Sequence, residues 1–343
     1  MFCRILLHHL ITSSLTFMLA IRCHQFGPPE ALTLEEIAMP AAGPDDVVVR
    51  IHAAGVNFAD VLMVAGNYQV KPPLPFVPGL EFAGEIVELG VNVKNWRVGE
   101  RVMGAPTLGG CFAEFICMPA VRLFRMPADV PYDLAAGFLV GHGTAGFSLR
   151  QRARLQSGET VLITGAGGGV GVAAVDVAKR MGACVIAAAG SAEKLDVAVA
   201  HGADATVNYT TEDLREKVKV ITAGQGVDVV LDVVGGAPFE AALRSTAPWA
   251  RVVVVGFASG EIPRIRAEYL LIKNIAVLGC GFGGAIANYR QISQQTIDEL
   301  FVLHQAKPFR AEIAGRLALK AVPQALRRIA DRNVTGKLLI QPP

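Results

Sequence analysis

Apolar positions along the chain change their rhythm near residue 158. Before that point, from about residue 21 to 118, they come in short runs between turn-forming residues. Residues 47–52 and 82–87 read as strands, with Pro72, Pro73, Pro75, Pro78 and Gly79 punctuating the stretch between them. Strands at this spacing, with no helical stretch between them, predict a small β-barrel-like domain. After residue 158, apolar runs alternate with stretches of helical period. A strand at 161–164 is followed by a helix at 170–181, a strand at 183–187 and a helix at 192–201. The alternation continues through 205–209, 211–222, 227–233, 238–246, 251–256 and 275–280. Strands separated by helices of this length are βαβ units, which require a parallel sheet with right-handed crossovers. That block occupies residues 143–282. Two helices at 289–305 and 322–331 and a strand at 337–341 break the repeat, so residues 283–343 are expected to return to and complete the first domain, which begins at 18–142.

Composition narrows the function classes. The 343 residues carry 32 Lys plus Arg against 30 Asp plus Glu, a net charge of +2, and they are 52% hydrophobic with 36 glycines. A chain this apolar is not disordered. Its balanced charge gives no electrostatic footprint for nucleic acid or an anionic membrane. The six cysteines, at 3, 23, 111, 117, 184 and 280, include no C-x-x-C pair. Neither a zinc ribbon nor a redox dithiol is expected, and the cysteine usage fits a reduced, cytoplasmic protein. Residues 1–17 are too short and too polar for a spanning helix and lack a good cleavage site for a secretory signal. A translation start at Met18 is the preferred reading of that extension, with organelle targeting left open.

The chemistry begins at the turn between the first βαβ strand and its helix, Thr164-Gly165-Ala166-Gly167-Gly168-Gly169-Val170-Gly171. Residues without side chains there let backbone N–H groups reach a pyrophosphate at the positive end of a helix. The strict G-x-G-x-x-G pattern does not fit; the match is G-x-x-G-G-V-G over Gly165, Gly168, Gly169, Val170 and Gly171. In this context the turn predicts a dinucleotide site. A carboxylate at the end of the next strand would hold a ribose 2′-hydroxyl and repel a 2′-phosphate. The chain instead reads Ala188-Ala189-Gly190-Ser191-Ala192-Glu193-Lys194, where Ser191 and Lys194 can bond a phosphate. NADPH is therefore the expected cofactor.

Several motifs together resemble one family. They are Ala54-Gly55-Val56-Asn57-Phe58-Ala59-Asp60, Gly66-Asn67-Tyr68, the Pro-rich stretch from Pro72 to Gly84, Gly99-Glu100-Arg101-Val102, Gly143-Thr144-Ala145, the glycine turn, and Gly336-Lys337. This set resembles the medium-chain dehydrogenase/reductase superfamily and, within it, the zinc-free quinone oxidoreductases related to zeta-crystallin. The resemblance implies an α/β chain with a GroES-like, β-rich catalytic domain built from both chain ends and a Rossmann doubly wound parallel sheet domain between them. Zinc-dependent relatives carry a cysteine where Asn57 stands and a histidine where Leu80 stands. Leu80 cannot ligate, the four-cysteine structural zinc loop is missing, and His52 and His142 lack partners at ligand spacing, so no metal is expected.

The resemblance implies hydride transfer from NADPH to a quinone, or to the β-carbon of an α,β-unsaturated carbonyl. Such acceptors delocalise the developing charge themselves, whereas a simple ketone needs an electrophile. By the same resemblance Asn57 is a donor near the nicotinamide and the substrate carbonyl, and Asp60 and Tyr68 are neighbouring pocket positions. Asp60 reads equally well as a helix cap, and Tyr68 as a packed ring. Many relatives carry an arginine where Val64 stands, which suggests a more apolar pocket mouth here. Ser191, Lys194 and Tyr209 match positions that grip the 2′-phosphate, Thr144 matches a cofactor-side threonine, and Gly256 and Phe257 are expected beside the nicotinamide. A homodimer through residues 275–280 is a further family expectation. Three other readings compete. A short-chain dehydrogenase would use Tyr269 and Lys273, but the glycine turn lies too far into the chain for it. An enoyl-thioester reductase would share the scaffold. A non-catalytic NADPH-binding sensor or structural protein would keep the cofactor elements without turnover.

Overall fold

The computed structural model describes residues 17–343, so the expectations about residues 1–16 lie outside the described residues. The chain divides into two compact units. The first comprises the residues up to Gly137 together with Ile313–Val334 and Leu338–Pro343. Its opening strands are β1 (Phe17–Arg22), β2 (Thr33–Ala38), β3 (Asp46–Val56), β4 (Phe82–Leu89), β5 (Arg101–Gly104), β6 (Phe115–Pro119) and β7 (Phe124–Arg125). β1 and β2 pair antiparallel, and Met18, buried within β1, faces Ile37 in that register. The longest strand, β3, organises the rest: it pairs antiparallel with both β4 and β6. Its register with β4 shifts twice, between Val48 and Val49 and between Ile51 and Ala53. Such bulges raise local twist and bend a strand, which curls the sheet around its own apolar face. That face carries Val47, Val49, Ile51, Phe82, Ile86 and Val102, all at most 2% exposed.

One helix interrupts these strands where none was expected: α1 (Phe58–Val64). Only seven residues long, it shows too few turns for a helical period to register in the sequence. Met63 and Val64, each 1% exposed, anchor it to the core. Val64 therefore lies in the packed interior of this unit and not at a pocket mouth, which corrects the reading of that position.

The second unit comprises Phe138–Glu312 and Thr335–Lys337. Its strands are β8 (Thr160–Thr164), β9 (Cys184–Ala189), β10 (Ala205–Asn208), β11 (Val227–Asp232), β12 (Thr246–Val254) and β13 (Ala276–Gly279). They form one sheet in the order β10-β9-β8-β11-β12-β13. Every adjacent pair is parallel. The helices are α2 (Gly169–Arg180), α3 (Ala192–Ala200), α4 (Leu214–Ile221), α5 (Gly236–Arg244), α6 (Ala267–Lys273), α7 (Phe282–Asn288) and α8 (Arg290–Ala306). Parallel strands covered on both faces read as unbroken apolar runs. Accordingly Val161, Leu162, Ile163, Val185, Ile186, Val229, Val230 and Leu231 are all fully buried. The order reverses beside β8, so the carboxyl ends of β8 and β11 flank the switch point where α/β sheets take ligands.

The second unit continues past residue 282 and holds α7 and α8, which the sequence rhythm assigned to the returning segment. The reason is packing. Ile297 and Leu300 on α8 are fully buried, and Leu300 Cδ1 stands 3.0 Å from the place a Cβ on Gly146 would take. The chain then returns to the first unit through β14 (Ile313–Ala318) and α9 (Val322–Ala330), and it ends in β15 (Lys337–Gln341). Residues 335–337 are an exception within this return. Gly336 N–H donates to Gly167 O at 3.0 Å, and Lys337 N–H donates to Glu312 O at 2.8 Å, so this short strap belongs with the second unit.

Candidate functional site

In the second unit the glycine turn opens α2. Gly168 is the residue before the helix, in extended conformation, with no side chain capping the first turn and no acidic residue in it. The leading N–H groups of a helix have no partner within it, and the helix dipole adds positive potential there. Gly169 and Val170 are only half-buried, so their N–H groups are open to a ligand. Close approach explains the glycine at 171: a Cβ there would fall 2.1 Å from Gly165 O. Carbonyl acceptors inside the turn are already used, since Gly168 N–H bonds Gly165 O and Gly336 N–H bonds Gly167 O. What faces outward is therefore a set of donors suited to a pyrophosphate.

The candidate 2′-phosphate residues gather at the ends of β9 and β10. Ser191 caps α3, its hydroxyl oxygen accepting from Lys194 N–H at 3.4 Å, and this leaves its O–H as a donor. Lys194 begins against the glycine turn: its Cβ lies 2.4 Å from the position of a Cβ on Gly167. The Tyr209 ring stands 3.4 Å from the same point on Gly190. Three residues with donor side chains thus gather near the end of β9, and no carboxylate occupies the strand's last residues. Thr144, half-buried, lies in a helical stretch at 139–152 that precedes β8 and whose Gly141 approaches Gly169 O, at 3.6 Å from a built Cβ. Gly256 and Phe257 follow β12; Gly256 N–H reaches Asp232 O at 3.4 Å, and the Phe257 ring lies against Gly235.

The first unit brings Asn57, Asp60 and Tyr68 together with a residue the sequence reading did not single out, Glu81. Asn57, 8% exposed, precedes α1, and its backbone N–H donates to Asp60 Oδ2 at 2.7 Å in a capping box. Asp60, fully buried, thus does the work of a helix cap. The Asn57 amide nitrogen donates inward, to Gly55 O at 3.3 Å and to Glu81 Oε1 at 3.1 Å. Both amide hydrogens are thus engaged within the first unit. Tyr68 is half-buried against the same core, and burial, reinforced by the Asp60 charge, raises its hydroxyl pKa above the ordinary phenol value. The group stays a protonated donor at neutral pH, and its O–H makes no hydrogen bond among the described residues.

Leu80, where zinc-dependent relatives carry histidine, is packed at 7% exposed. His52 stacks on Tyr132 at 4.2 Å between ring centroids, and His142 stacks on Phe138 at 4.9 Å. Glu81 had one usable signal in the sequence, as a single carboxylate between Leu80 and Phe82 in an otherwise apolar stretch. A buried charged residue is rare without a partner. A second missed residue, Asp232, closes β11 and is also fully buried.

Comparison with known proteins agrees with this division. Residues 43–128 match the alcohol dehydrogenase GroES-like domain, and residues 169–299 match the zinc-binding dehydrogenase family. The quinone oxidoreductase-like protein 2 homolog of Nematostella vectensis is 37% identical over 322 residues, covering 94% of this chain and 88% of that protein. The quinone oxidoreductase of Pseudomonas syringae pv. Tomato DC3000 superposes with a TM-score of 0.88 at 32% identity, covering 95% of this chain and 100% of the other. The Escherichia coli quinone oxidoreductase complexed with NADPH also gives 0.88, at 29% identity over 94% of this chain and 100% of the other. With both domain types present and relatives this similar along nearly its whole length, the chain belongs to the quinone oxidoreductase family of the medium-chain dehydrogenase/reductase superfamily.

Proposed function

We propose that this chain is an NADPH-dependent oxidoreductase that passes hydride to a quinone or an α,β-unsaturated carbonyl without a metal ion. The observation that carries the reading is the end of β9. Ser191, Lys194 and Tyr209 offer three donors where a carboxylate would have selected the unphosphorylated cofactor. The leading N–H groups of the helix, at Gly169, Val170 and Gly171, would hold the pyrophosphate, with Gly165 and Gly168 shaping the turn that presents them and Gly171 letting the helix pack on it. Thr144, Gly256 and Phe257 would line the nicotinamide end. When bound, NADPH supplies the hydride.

The first unit contributes orientation and hydrogen bonding. Tyr68 would donate to the acceptor oxygen as charge develops there. Asn57, fixed between Gly55 O and Glu81, would shape the wall, and Asp60 would hold α1 in place. The metal-free reading rests on the chemistry of the side chains at the zinc positions: Leu80 has no donor atom, and the Asn57 amide is committed to Glu81. Conjugated acceptors suit such a site, because they spread the charge that a zinc ion would otherwise stabilise. The same reading includes a homodimer. β13 is the outer strand of its sheet, and Leu271 and Ile272 on the neighbouring α6 are 79% and 74% exposed. A cytoplasmic setting is part of the proposal too; no helix of the described residues is long and apolar enough to cross a membrane.

The test is NADPH oxidation by purified protein over a panel of quinones, enones and enoyl thioesters, each with and without a chelator. Turnover of quinones or enones, unchanged by chelation, supports the reading. Turnover of enoyl thioesters alone would replace it with a thioester reductase, and tight NADPH binding with no oxidation by any acceptor would replace it with a sensor.

A further inference from the structure

Asp232 makes an unusual set of contacts for a residue outside any open surface. It is fully buried at the end of β11, beside β8, at the switch point of the sheet. One carboxylate oxygen accepts from the Thr164 hydroxyl. The other accepts from Gly235 N–H at 2.9 Å. Its backbone oxygen accepts from Val255 N–H at 2.8 Å and Gly256 N–H at 3.4 Å. Thr164 Oγ1 in turn accepts from Val233 N–H at 3.3 Å. One residue therefore ties together the glycine turn after β8, the turn after β11 and the Gly256–Phe257 stretch after β12. The turns also touch directly. Gly165 has φ +65°, and a Cβ there would lie 2.5 Å from Val233 Cγ2. Ala258 and Ser259 N–H bond Val233 O and Val234 O at 3.0 and 2.8 Å.

We infer that Asp232 is a positioning residue for the dinucleotide, setting through Thr164 and Gly235 the spacing of the three turns that would face it. The inference rests on the cofactor reading above. Burial pushes the carboxyl pKa up, and the Thr164 hydroxyl with the Gly235 and Val234 N–H groups works the other way by favouring the charged form. No amide replaces such a group. With Asn at 232, the –NH2 either faces Gly235 N–H, donor against donor, or turns to Thr164 and displaces the hydroxyl hydrogen from its acceptor.

The experiment is equilibrium titration of NADPH fluorescence on the full chain, alongside NADPH KM and kcat, for Asp232→Asn, Thr164→Val and Thr164→Ser. We expect Kd and KM for NADPH to rise about tenfold in the first two, with kcat at saturating NADPH largely kept, and the serine variant to bind like the parent because its hydroxyl remains. Folded Asp232→Asn and Thr164→Val proteins that bind NADPH as the parent does would overturn the inference. Loss of folding in both, or a serine variant as weak as the valine one, would overturn it equally and leave Asp232 a residue of fold stability. A parent protein that itself fails to bind NADPH would refute the cofactor reading, a separate and visible failure.

Discussion

Asn57 and Glu81, both nearly excluded from water, are joined by a 3.1 Å hydrogen bond from the Asn57 amide nitrogen to Glu81 Oε1. The contact ties the residue before α1 to the one before β4, across the position where zinc-dependent relatives place two ligands. Removing the carboxylate strands the amide in a dry place. Glu81→Ala is expected to lower stability by about 1–3 kcal/mol, and Glu81→Gln by less, since its amide oxygen still accepts. Urea unfolding of the three proteins measures this, and equal losses for Ala and Gln would show that the hydrogen bond is not the cause.

Lys194 is the one cation among the three donors at the end of β9. Lys194→Ala is expected to raise KM for NADPH by roughly tenfold or more while changing KM for NADH little, because only the phosphorylated cofactor loses a charge-assisted bond. Parallel kinetics with the two cofactors decide it. Equal effects on both would remove the 2′-phosphate role.

Tyr68 offers a protonated hydroxyl with no partner among the described residues. Tyr68→Phe keeps the ring packed and deletes only the donor. A drop in kcat of roughly ten- to a hundredfold is expected, with NADPH affinity unchanged, since the lost bond is one that strengthens as charge develops on the acceptor. Unchanged kcat would make the residue a packing ring.

His142 sets an acid limit on stability. Burial lowers its pKa from 6.5 to about 4, and its Nδ1 has no hydrogen-bond partner among the described residues. Below the ordinary histidine pKa the unfolded chain takes up a proton that the folded protein refuses, so stability falls as pH drops from about 6.5 towards 4. Between roughly pH 7 and pH 5 the loss from this residue is about 2 kcal/mol. Urea unfolding of His142→Leu at both pH values should show a correspondingly flatter dependence, and a slope equal to the parent's would refute the assignment.

The alternation of apolar runs made the parallel sheet legible, because strands buried on both faces leave a pattern that needs no knowledge of partners. The glycine turn was legible for a related reason: a run of bare residues between a strand and a helix marks a backbone that bends tightly and packs closely, as Gly165 and Gly171 do here. The remainder depended on contacts that no spacing encodes. α1 is too short to show a period. Val64 looked like a surface change and is core. α8 breaks the repeat yet packs through Ile297 and Leu300 on the second unit. Glu81 and Asp232 each read as one acid in an apolar run, and their roles emerge only from the groups that long-range folding brings to them: Asn57 in one case, Thr164 and Gly235 in the other.

The strap at residues 335–337 bears on how this protein can be taken apart. Because Gly336 braces Gly167 from the far end of the chain, the polypeptide passes between the two units at four points: after Gly137, Glu312, Val334 and Lys337. A nucleotide unit cut out as one continuous piece loses that brace. Grafting the unit from a relative takes four joins, and shuffling that breaks the chain only twice delivers hybrids whose glycine turn is supported by the wrong parent's tail.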